Sequence, residues 1–317
     1  MSEFTFIQKI RERAAQHSSE AILGIGDDTA ILSERVGRER LITADLLIED
    51  VHFKLEYTPM SCLAHKVLAI SLSDIAAMGG KPEFSLLTLG IPKSLIELNW
   101  DEFFASYFAL AEKFGVTLIG GDTSSSPDKL VIDSIVMGSC ERGKAIRRST
   151  AKIGDAIFVT GELGASAAGL QFLLKGETEK NNSITAHLMP QPRVEFGIAL
   201  GATGIIHSMM DVSDGLAQDL SHICAESKVS AILHAEAIPV APHANFEQAL
   251  SGGEDYELLF TANRTDENTF LKLANDYSLR LSRIGQIIRQ ATEPVFLNRD
   301  KNIQPLKIKG FDHFNVA

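Results

Sequence analysis

The chain has 317 residues, 45% of them hydrophobic and 22% charged, which is typical of a globular protein with a full apolar core. Its formal net charge of −11 argues against nucleic acid or a membrane surface as partner, because neither would find a basic patch. The negative charge does not exclude anionic substrates, since bound Mg²⁺ can reverse the local charge. Three widely spaced cysteines give no disulfide framework and no zinc motif. Without a signal-peptide core, or a run of about 18 apolar residues, we expect a cytoplasmic protein with no membrane span.

In the first half of the chain, apolar runs of strand length alternate with helix-like stretches. The patterns predict strands Arg40–Leu46, Phe84–Ile91, Val116–Ile119 and Leu130–Ser139, and helices Ser61–Met78 and Asp101–Phe114. Gly79 and Gly80, followed by Pro82, are typical of a helix end. A polar, basic stretch at 140–154 indicates a junction, so we expect two α/β domains, residues 1–140 and 141–317.

The second half continues the alternation. It predicts strands Ala156–Thr160, Ala231–Ala235, Tyr256–Ala262 and Leu281–Ile288, helices Ala165–Leu174, Arg193–Leu200, Leu216–Ser227 and Asp266–Tyr277, an apolar run Ile205–Met210 and a polar loop Lys175–Ile184.

Six acidic motifs lie in predicted loops or at the ends of these elements. The first ends in Asp27-Asp28 after two glycines, and is either a solvated turn or a cation site. Asp45 ends a predicted strand, where a carboxylate can be buried or point into a site. Asp74 lies in an apolar, small-residue helix, where an unpaired charge is costly, so it needs a metal or an arginine partner.

The other three motifs combine acids with glycines. Gly120-Gly121-Asp122 is either a plain strand-to-turn exit or a close approach to a phosphate. Asp211-Val212-Ser213-Asp214 precedes a helix and predicts either a helix cap or a shared metal ion. Ser251–Glu257 places three acids beside a glycine pair and before a strand.

Taken together, carboxylate-only ligand sets suit hard cations such as Mg²⁺, which bind through a few carboxylates and substrate phosphates. That chemistry is typical of phosphoryl transfer from ATP. No glycine-rich phosphate loop with lysine, protein-kinase motif or dinucleotide fingerprint is present. Arg148 is therefore the best basic candidate for the nucleotide, the alternative being a solvated loop. His52 alone is more typical of a structural residue than of a ligand.

The ordered motif set resembles the thiamine-monophosphate kinase family, within the aminoimidazole-ribonucleotide synthetase-like superfamily. The motifs are Gly24–Asp28, Leu72–Gly80, Gly120–Thr123, Arg148–Lys152, Met210–Leu216, Ser251–Leu258 and Gly310–Phe314, so the resemblance covers about residues 4–314. It implies conversion of ATP and thiamine monophosphate to ADP and thiamine diphosphate. It also implies a two-domain α/β (α+β) fold, in which the N-terminal sheet pairs across a homodimer and the C-terminal domain covers the nucleotide and the substrate.

The resemblance assigns roles to particular residues. Mg²⁺ ligands are implied at Asp28, Thr43, Ala44 (through its backbone carbonyl), Asp45, Asp74, Asp122, Asp211 and Asp214. Nucleotide contacts are implied at Gly121, Asp122, Arg148 and Ser213, and thiamine-phosphate contacts at His52, Glu254 and Phe311. Asp74, Asp122 and Asp211 are the predicted catalytic residues, and K⁺ is a further candidate cofactor.

Three positions depart from the family pattern: Ser71 for asparagine, Phe104 for tyrosine, and Phe311 for tryptophan or tyrosine. None removes an implied metal ligand. Two rival interpretations stay open, namely another ATP-using enzyme of the superfamily and a non-catalytic regulator that binds metal and nucleotide. A selenophosphate-forming enzyme would carry a reactive Cys near its N-terminus, whereas the first cysteine here is Cys62, inside a predicted helix.

Overall fold

The computed structural model describes residues 3–14, 32, 35–177, 179 and 181–307. The chain divides into two compact units, one of residues 1–75 and 80–143 and the other of residues 76–79 and 144–317. Each unit contains one sheet together with helices, and most neighbouring strands are antiparallel. This is the predicted two-part α/β fold in its α+β form.

The first unit is built on a four-stranded sheet. Its elements are α1 (Glu3–Ala14), β1 (Arg38–Ile48), α2 (Met60–Ala77), β2 (Lys81–Pro92), α3 (Trp100–Phe114), β3 (Thr117–Ser126) and β4 (Val131–Glu141). The strand order is β1-β4-β2-β3, with β2 and β3 parallel and the other neighbours antiparallel. β1 and β3 are therefore the two edges of this sheet.

Helix α2 is the core helix of the first unit. By length and composition it could cross a membrane, but 83% of it is buried inside the protein. Its last residues, Ala76 and Ala77, are grouped with the second unit. A helix that is apolar on nearly every face is stable only when the surrounding protein covers it. Most polar side chains on α2 therefore lie in surroundings with little access to water.

Helix α3 supplies the aromatic part of the same core. Asn99 caps its start by accepting a hydrogen bond from the Glu102 amide, so Asp101 is a first-turn residue. The Tyr107 hydroxyl donates to Ser85 Oγ at 2.9 Å, and burial raises the pKa of Tyr107 above its ordinary value. Phe104 is buried among these rings, so the predicted departure from tyrosine is accommodated here as apolar packing.

The second unit is built on a seven-stranded sheet. Its elements are β5 (Ala156–Thr160), α4 (Ala165–Leu174), α5 (Asn182–Leu188), α6 (Val194–Thr203), β6 (Ile206–Asp211), α7 (Leu216–Ser227), β7 (Val229–His234), α8 (Phe246–Ser251), β8 (Leu258–Ala262), α9 (Glu267–Asp276), β9 (Leu281–Arg289), β10 (Val295–Arg299) and β11 (Asn302–Pro305). The order is β11-β10-β7-β9-β5-β8-β6, and among the described strands of this second sheet only β7 and β10 pair in parallel. Helix α7 and strands β5 and β8 contribute to one apolar core.

The structure excludes one of the alternatives left open by the sequence and corrects one prediction. Residues 120–123 are not a turn, because β3 continues through them to Ser126 in parallel pairing with β2. The polar stretch 175–184 is not loop throughout, because Asn181 caps a new helix by accepting from the Ile184 amide. Both segments are polar, as the sequence indicates. Strand pairing in the first and helix capping in the second nevertheless determine the backbone conformation.

Gly121 gives a direct test of the strand continuation. Its φ is +153°, and a Cβ there would lie 1.8 Å from the carbonyl oxygen of Leu87 on β2. We predict that Gly121→Ala lowers the free energy of unfolding by about 3 kcal/mol or more, through backbone strain and overpacking. Urea unfolding followed by circular dichroism measures the change.

Gly115→Ala is the matched control. Gly115 has φ +67° but no heavy atom within 4 Å of its added Cβ, so only the left-handed backbone is penalised, by about 1–2 kcal/mol. Equal losses in the two variants would contradict the close approach at Gly121.

Candidate active site

Thr43, Asp45 and Asp74 meet between β1 and α2. Alternate residues of a strand face the same side, so Thr43 and Asp45 point together toward the helix. The Thr43 hydroxyl donates to Oδ2 of Asp74, and the Ser71 hydroxyl donates to Oδ2 of Asp45 at 2.7 Å. Two carboxylates and two hydroxyls are thus gathered at one place beside a buried helix.

The electrostatics of this cluster are unfavourable for two bare carboxylates. Burial, followed by the charge of Asp74, raises the pKa of Asp45 to about 6, although the Ser71 hydrogen bond opposes the shift. Asp133 on β4 adds a smaller repulsion. A hard cation would relieve this repulsion, and its preferred ligands are carboxylate and hydroxyl oxygens. The residues present therefore fit Mg²⁺.

Two other predicted residues of the first unit lie next to this cluster in sequence. Ala44 turns its side chain to the opposite, exposed face of β1, so only its backbone carbonyl could serve a cation. His52 lies in the turn after β1, where its Nδ1 accepts a hydrogen bond of 3.0 Å from the Ile48 amide. When Nδ1 accepts in a neutral ring, the hydrogen is on Nε2, which is then a hydrogen-bond donor.

Gly121 and Asp122 lie on the other edge of the same sheet. Asp122 is exposed, its register partner on β2 is Thr88, and its own Oδ1 accepts from the Thr123 amide at 2.9 Å. Asp45 and Asp122 are separated by three strand spacings, about 14 Å. One Mg²⁺ bonds ligands at about 2.1 Å, so within this sheet Asp45 and Asp122 cannot share a single ion.

The second unit gathers its acids where β6 ends and α7 begins. Asp211 is the buried last residue of β6, and Ser213 and Asp214 follow half-buried. Oδ2 of Asp219 accepts hydrogen bonds from the amides of Ser213, Asp214 and Gly215, at 3.0, 3.1 and 3.1 Å. Neither Ser213 nor Asp214 is the helix cap, because Gly215 holds that position. The side chain of Asp219, one turn into the helix, fixes the loop.

The pKa of Asp219, beside this loop, is strongly shifted. Burial, followed by the charges of Asp211 and Asp214, raises the pKa of Asp219 to about 8. Its Oδ1 is buried and has no hydrogen-bond partner within the described part of the chain. Ligand atoms of Asp214, Asp219 and His222 all lie within 4.8 Å of one another. This carboxylate-rich loop fits a hard cation as well.

Residues 251–257 lie directly against that loop. The amides of Glu254 and Tyr256 donate to the carbonyls of Ser213 and Val212, at 2.7 and 2.8 Å. Glu254 and Tyr256 both have left-handed backbones, with φ of +56° and +50°. Glu257 is buried and forms an ion pair with Arg193, whose Nε donates to Oε2 at 2.8 Å. Of the three acids in this motif, Glu254 is 31% exposed, whereas Asp255 accepts from the Gly164 amide and Glu257 is buried in its ion pair.

The remaining predicted residues are less informative. Arg148 is exposed in a short 3₁₀ turn, anchored through its carbonyl oxygen, which accepts from Ser227 Oγ at 2.7 Å. Asp28 and Phe311 lie outside the described residues. The structure thus brings Thr43, Asp45 and Asp74 together in one unit, and Asp211, Ser213, Asp214 and Glu254 together in the other.

The sequence prediction assigned no role to three residues that support these clusters, although Asp219 and Asp255 lie in or beside the acidic motifs. Asp219 holds the loop after β6, Asp255 accepts from the amides that begin α4, and His187 contacts Glu254. For Asp219, the signal available was an acid on the first turn of an apolar helix. His187 lies in a short helix whose surroundings come from distant segments, so no local pattern identified it.

Comparison with known protein families identifies the class of protein to which both halves of the chain belong. Residues 26–140 match the AIR synthase related protein, N-terminal domain, and residues 152–297 match the AIR synthase related protein, C-terminal domain. The chain is therefore an AIR synthase related protein with both domains of that class.

Full-length relatives define the family more narrowly. The thiamine-monophosphate kinase of Bacillus subtilis (strain 168) is 37% identical, over 99% of this chain and 100% of the relative. The crystal structure of thiamine-monophosphate kinase from Stenotrophomonas maltophilia K279a is 36% identical, with a TM-score of 0.84 over 94% of this chain and 97% of that one. AaThiL complexed with AMPPCP and TMP is 31% identical, with a TM-score of 0.78 over 98% and 97%. The chain belongs to the thiamine-monophosphate kinase family.

The repulsion at Asp45 leads to a prediction about metal. Without divalent cations, Asp45→Asn should have a free energy of unfolding about 1–2 kcal/mol higher than that of the wild type, because one of two desolvated charges is gone. It should therefore unfold at a higher temperature. Addition of Mg²⁺ should stabilise the wild type and have much less effect on Asp45→Asn. Thermal unfolding at pH 7.5, with EDTA or Mg²⁺, makes both measurements.

Asp276→Asn is the control, because Asp276 is an exposed acid at the end of α9. It should keep the wild-type response to Mg²⁺. An equal Mg²⁺ response in Asp45→Asn and the wild type would contradict the cation site.

Proposed function

We propose that this protein transfers the γ-phosphoryl group of ATP to thiamine monophosphate, forming ADP and thiamine diphosphate. The observation that carries the proposal is the full-length similarity to AaThiL, a protein complexed with AMPPCP and TMP. Two oxygen-rich acidic clusters support it, because phosphoryl transfer depends chiefly on cations and positioning.

The acceptor phosphate is itself a nucleophile, so the residues need not supply a strong base. Mg²⁺, when bound, would neutralise the charge of the two phosphorylated molecules. Several ions are proposed: Thr43, Ala44, Asp45 and Asp74 would hold one in the first unit and Asp211 and Asp214 another in the second. Asp122 would be a ligand of a different ion from Asp45, and Asp28 is a further proposed ligand. Asp74, Asp122 and Asp211 are the proposed catalytic group, since they would fix the charge at the reacting phosphates. Direct in-line transfer is the proposed course, and K⁺ is a further candidate cofactor.

The other polar residues would bind and orient the substrates. Gly121, Asp122, Arg148 and Ser213 are the proposed nucleotide contacts, and the exposed guanidinium of Arg148 suits a phosphate. His52, Glu254 and Phe311 are the proposed thiamine-phosphate contacts. Phe311 offers an aromatic face, and Glu254 a carboxylate, to the cationic ring of thiamine.

A different superfamily activity is the nearest alternative. The described cysteines do not favour a thiol-dependent reaction, because Cys140 and Cys224 are buried, Cys62 lies within α2, and burial raises the pKa of Cys224 to about 12. A non-catalytic regulator would bind ATP and Mg²⁺ without releasing ADP.

A coupled ADP assay tests the proposed reaction. With thiamine monophosphate, ATP and Mg²⁺, we expect ADP release that requires all three. Asp74→Asn should lower turnover at least about 100-fold, because a charge positioned for the transition state is lost. Asp276→Asn, an exposed substitution of the same chemistry, should keep wild-type turnover.

The outcomes separate the interpretations. ADP release that occurs only with another acceptor favours a different activity of the superfamily. Binding of ATP and Mg²⁺ without ADP release favours a regulator. Near-normal turnover in Asp74→Asn would remove Asp74 from the catalytic group while leaving the reaction in place.

We also propose a cytoplasmic homodimer, in which residues 1–140 form the dimerisation and metal/ATP-binding domain and residues 141–317 cover nucleotide and substrate. The first sheet supplies an apolar face for pairing: Ile42 and Leu46 on β1 are 66% and 52% exposed. Across β4, the register partners of Ile42 and Ala44 are the half-buried Met137 and Ile135. An apolar patch of this kind on a sheet face is typical of an interface. Nucleic acid and membrane are not proposed partners.

Replacing one apolar side chain on that face tests the dimer. Ile42→Lys should convert the dimer to monomer at micromolar concentration, since a charge would be buried without a partner. Sedimentation velocity measures the mass. Ile303→Lys, at a residue 51% exposed in β11 of the second unit, should leave the mass unchanged. A wild-type monomer, or a dimeric Ile42→Lys, would contradict this interface.

A further inference from the structure

His187 lies in the last turn of α5, and its side chain is only 4% exposed. Its Nδ1 is 3.2 Å from Oε2 of Glu254 and 3.0 Å from Oγ of Ser166. A carboxylate only accepts hydrogen bonds, so Glu254 is the acceptor in this contact when Nδ1 carries the hydrogen. The buried imidazole therefore contacts the carboxylate that the proposed function assigns to the thiamine phosphate.

The position of His187 is fixed by two helices that pack closely. Gly169 of α4 touches the backbone of α5, where a Cβ added to Gly169 would lie 2.1 Å from the Ser183 carbonyl oxygen. Ser166, in the first turn of α4, is 1% exposed. Because its hydroxyl is hydrogen-bonded to Nδ1 of His187, the imidazole is held at this buried position. His187 has little freedom to follow Glu254 if that side chain turns away.

Asp255 connects the beginning of α4 back to Glu254. Its Oδ2 accepts from the Gly164 amide at 2.7 Å, and its Oδ1 from the Ser166 amide at 3.3 Å, at the beginning of α4. A carboxylate at a helix N-terminus is favourable, so this contact fixes the backbone beside Glu254. Glu254, His187, Ser166 and Asp255 thus form a closed ring of contacts.

The backbone of Glu254 is also fixed from its other side. Its amide donates to the Ser213 carbonyl at 2.7 Å, and its left-handed φ of +56° is uncommon for a residue with a side chain. With the backbone held, the remaining freedom of Glu254 is in its side-chain rotamers. The contact with His187 selects among these rotamers.

We infer that His187 is a positioning residue for the acceptor: it holds the Glu254 carboxylate in the orientation that binds the cationic ring of thiamine monophosphate. The inference rests on the proposed function and adds the residue that determines acceptor affinity. His187 itself does not touch the reacting phosphates. Its loss should affect the acceptor and not ATP.

Steady-state kinetics with each substrate varied in turn tests this role. His187→Leu should raise the KM for thiamine monophosphate about 10-fold to 100-fold, the range for a hydrogen bond to a charged group, and leave the KM for ATP within about twofold. His187→Asn keeps an N–H group near the position of Nδ1 and should restore most of the affinity. His234→Leu removes another histidine with a hydrogen-bonded ring, partnered by Asn298, and should leave both KM values unchanged.

A double-mutant cycle makes the test specific. In a Glu254→Gln background, His187→Leu should add less than about threefold to the KM for thiamine monophosphate, because the carboxylate it orients is gone. Additive effects in the cycle, or equal rises in both KM values, would overturn the inference. If His187→Leu does not fold, Ser166→Ala replaces it in the same two-substrate kinetics: it should raise the KM for thiamine monophosphate and not that for ATP, because it removes the contact that holds His187, and unchanged KM values would overturn the inference. A wild type without acceptor-dependent ADP release would overturn the proposed function, whereas an active wild type with an unaffected His187→Leu overturns only this role.

Discussion

Carboxylates that share a desolvated space repel one another, and both units of this protein contain such a group. In the first, Asp45 lies beside Asp74 against a buried helix. In the second, Asp219 lies beside Asp211 and Asp214 where a strand passes into a helix. Without a counter-charge each arrangement costs folding free energy, because the charged forms are poorly hydrated and close together. The rest of the packing around these acids must therefore offset this free energy. A cation that reduces the repulsion would stabilise the fold.

The two units limit the repulsion by different means. Around Asp45 and Asp74 the donors are side-chain hydroxyls, from Ser71 and Thr43. Around Asp219 the donors are three consecutive backbone amides at the beginning of α7. Hydroxyls can rotate toward a new partner, whereas amides at a helix start are fixed in direction. The first cluster can therefore reorganise its hydrogen bonds more easily when a ligand arrives.

The sequence predicts the elements with strong local signals. Helix α4 has the predicted bounds, and α2 starts and ends within one residue of its prediction, because small apolar residues and a Gly-Gly stop define it. The course of β3 through Gly121 was not predicted, since parallel pairing with β2 overrides two glycines. The sequence predicts a metal or an arginine as the partner of Asp74, whereas the Thr43 hydroxyl that donates to it is 31 residues away and only the fold brings the two together. His187 depends on contacts of the same non-local kind, for which spacing alone gives no signal, whereas Asp219 lies in the first turn of α7, where an acid is a local signal.

Glu254 and Tyr256, with their left-handed backbones, have a consequence for engineering this protein. Each costs about 1–2 kcal/mol relative to glycine, and the surrounding hydrogen bonds to Val212 and Ser213 maintain both. A search for thermostable variants would favour glycine at residue 254, where it would remove the carboxylate, but not at residue 256, where it would remove the buried Tyr256 side chain from the core. Stability and acceptor recognition thus compete at a single backbone torsion, so directed evolution for heat resistance should hold residue 254 constant.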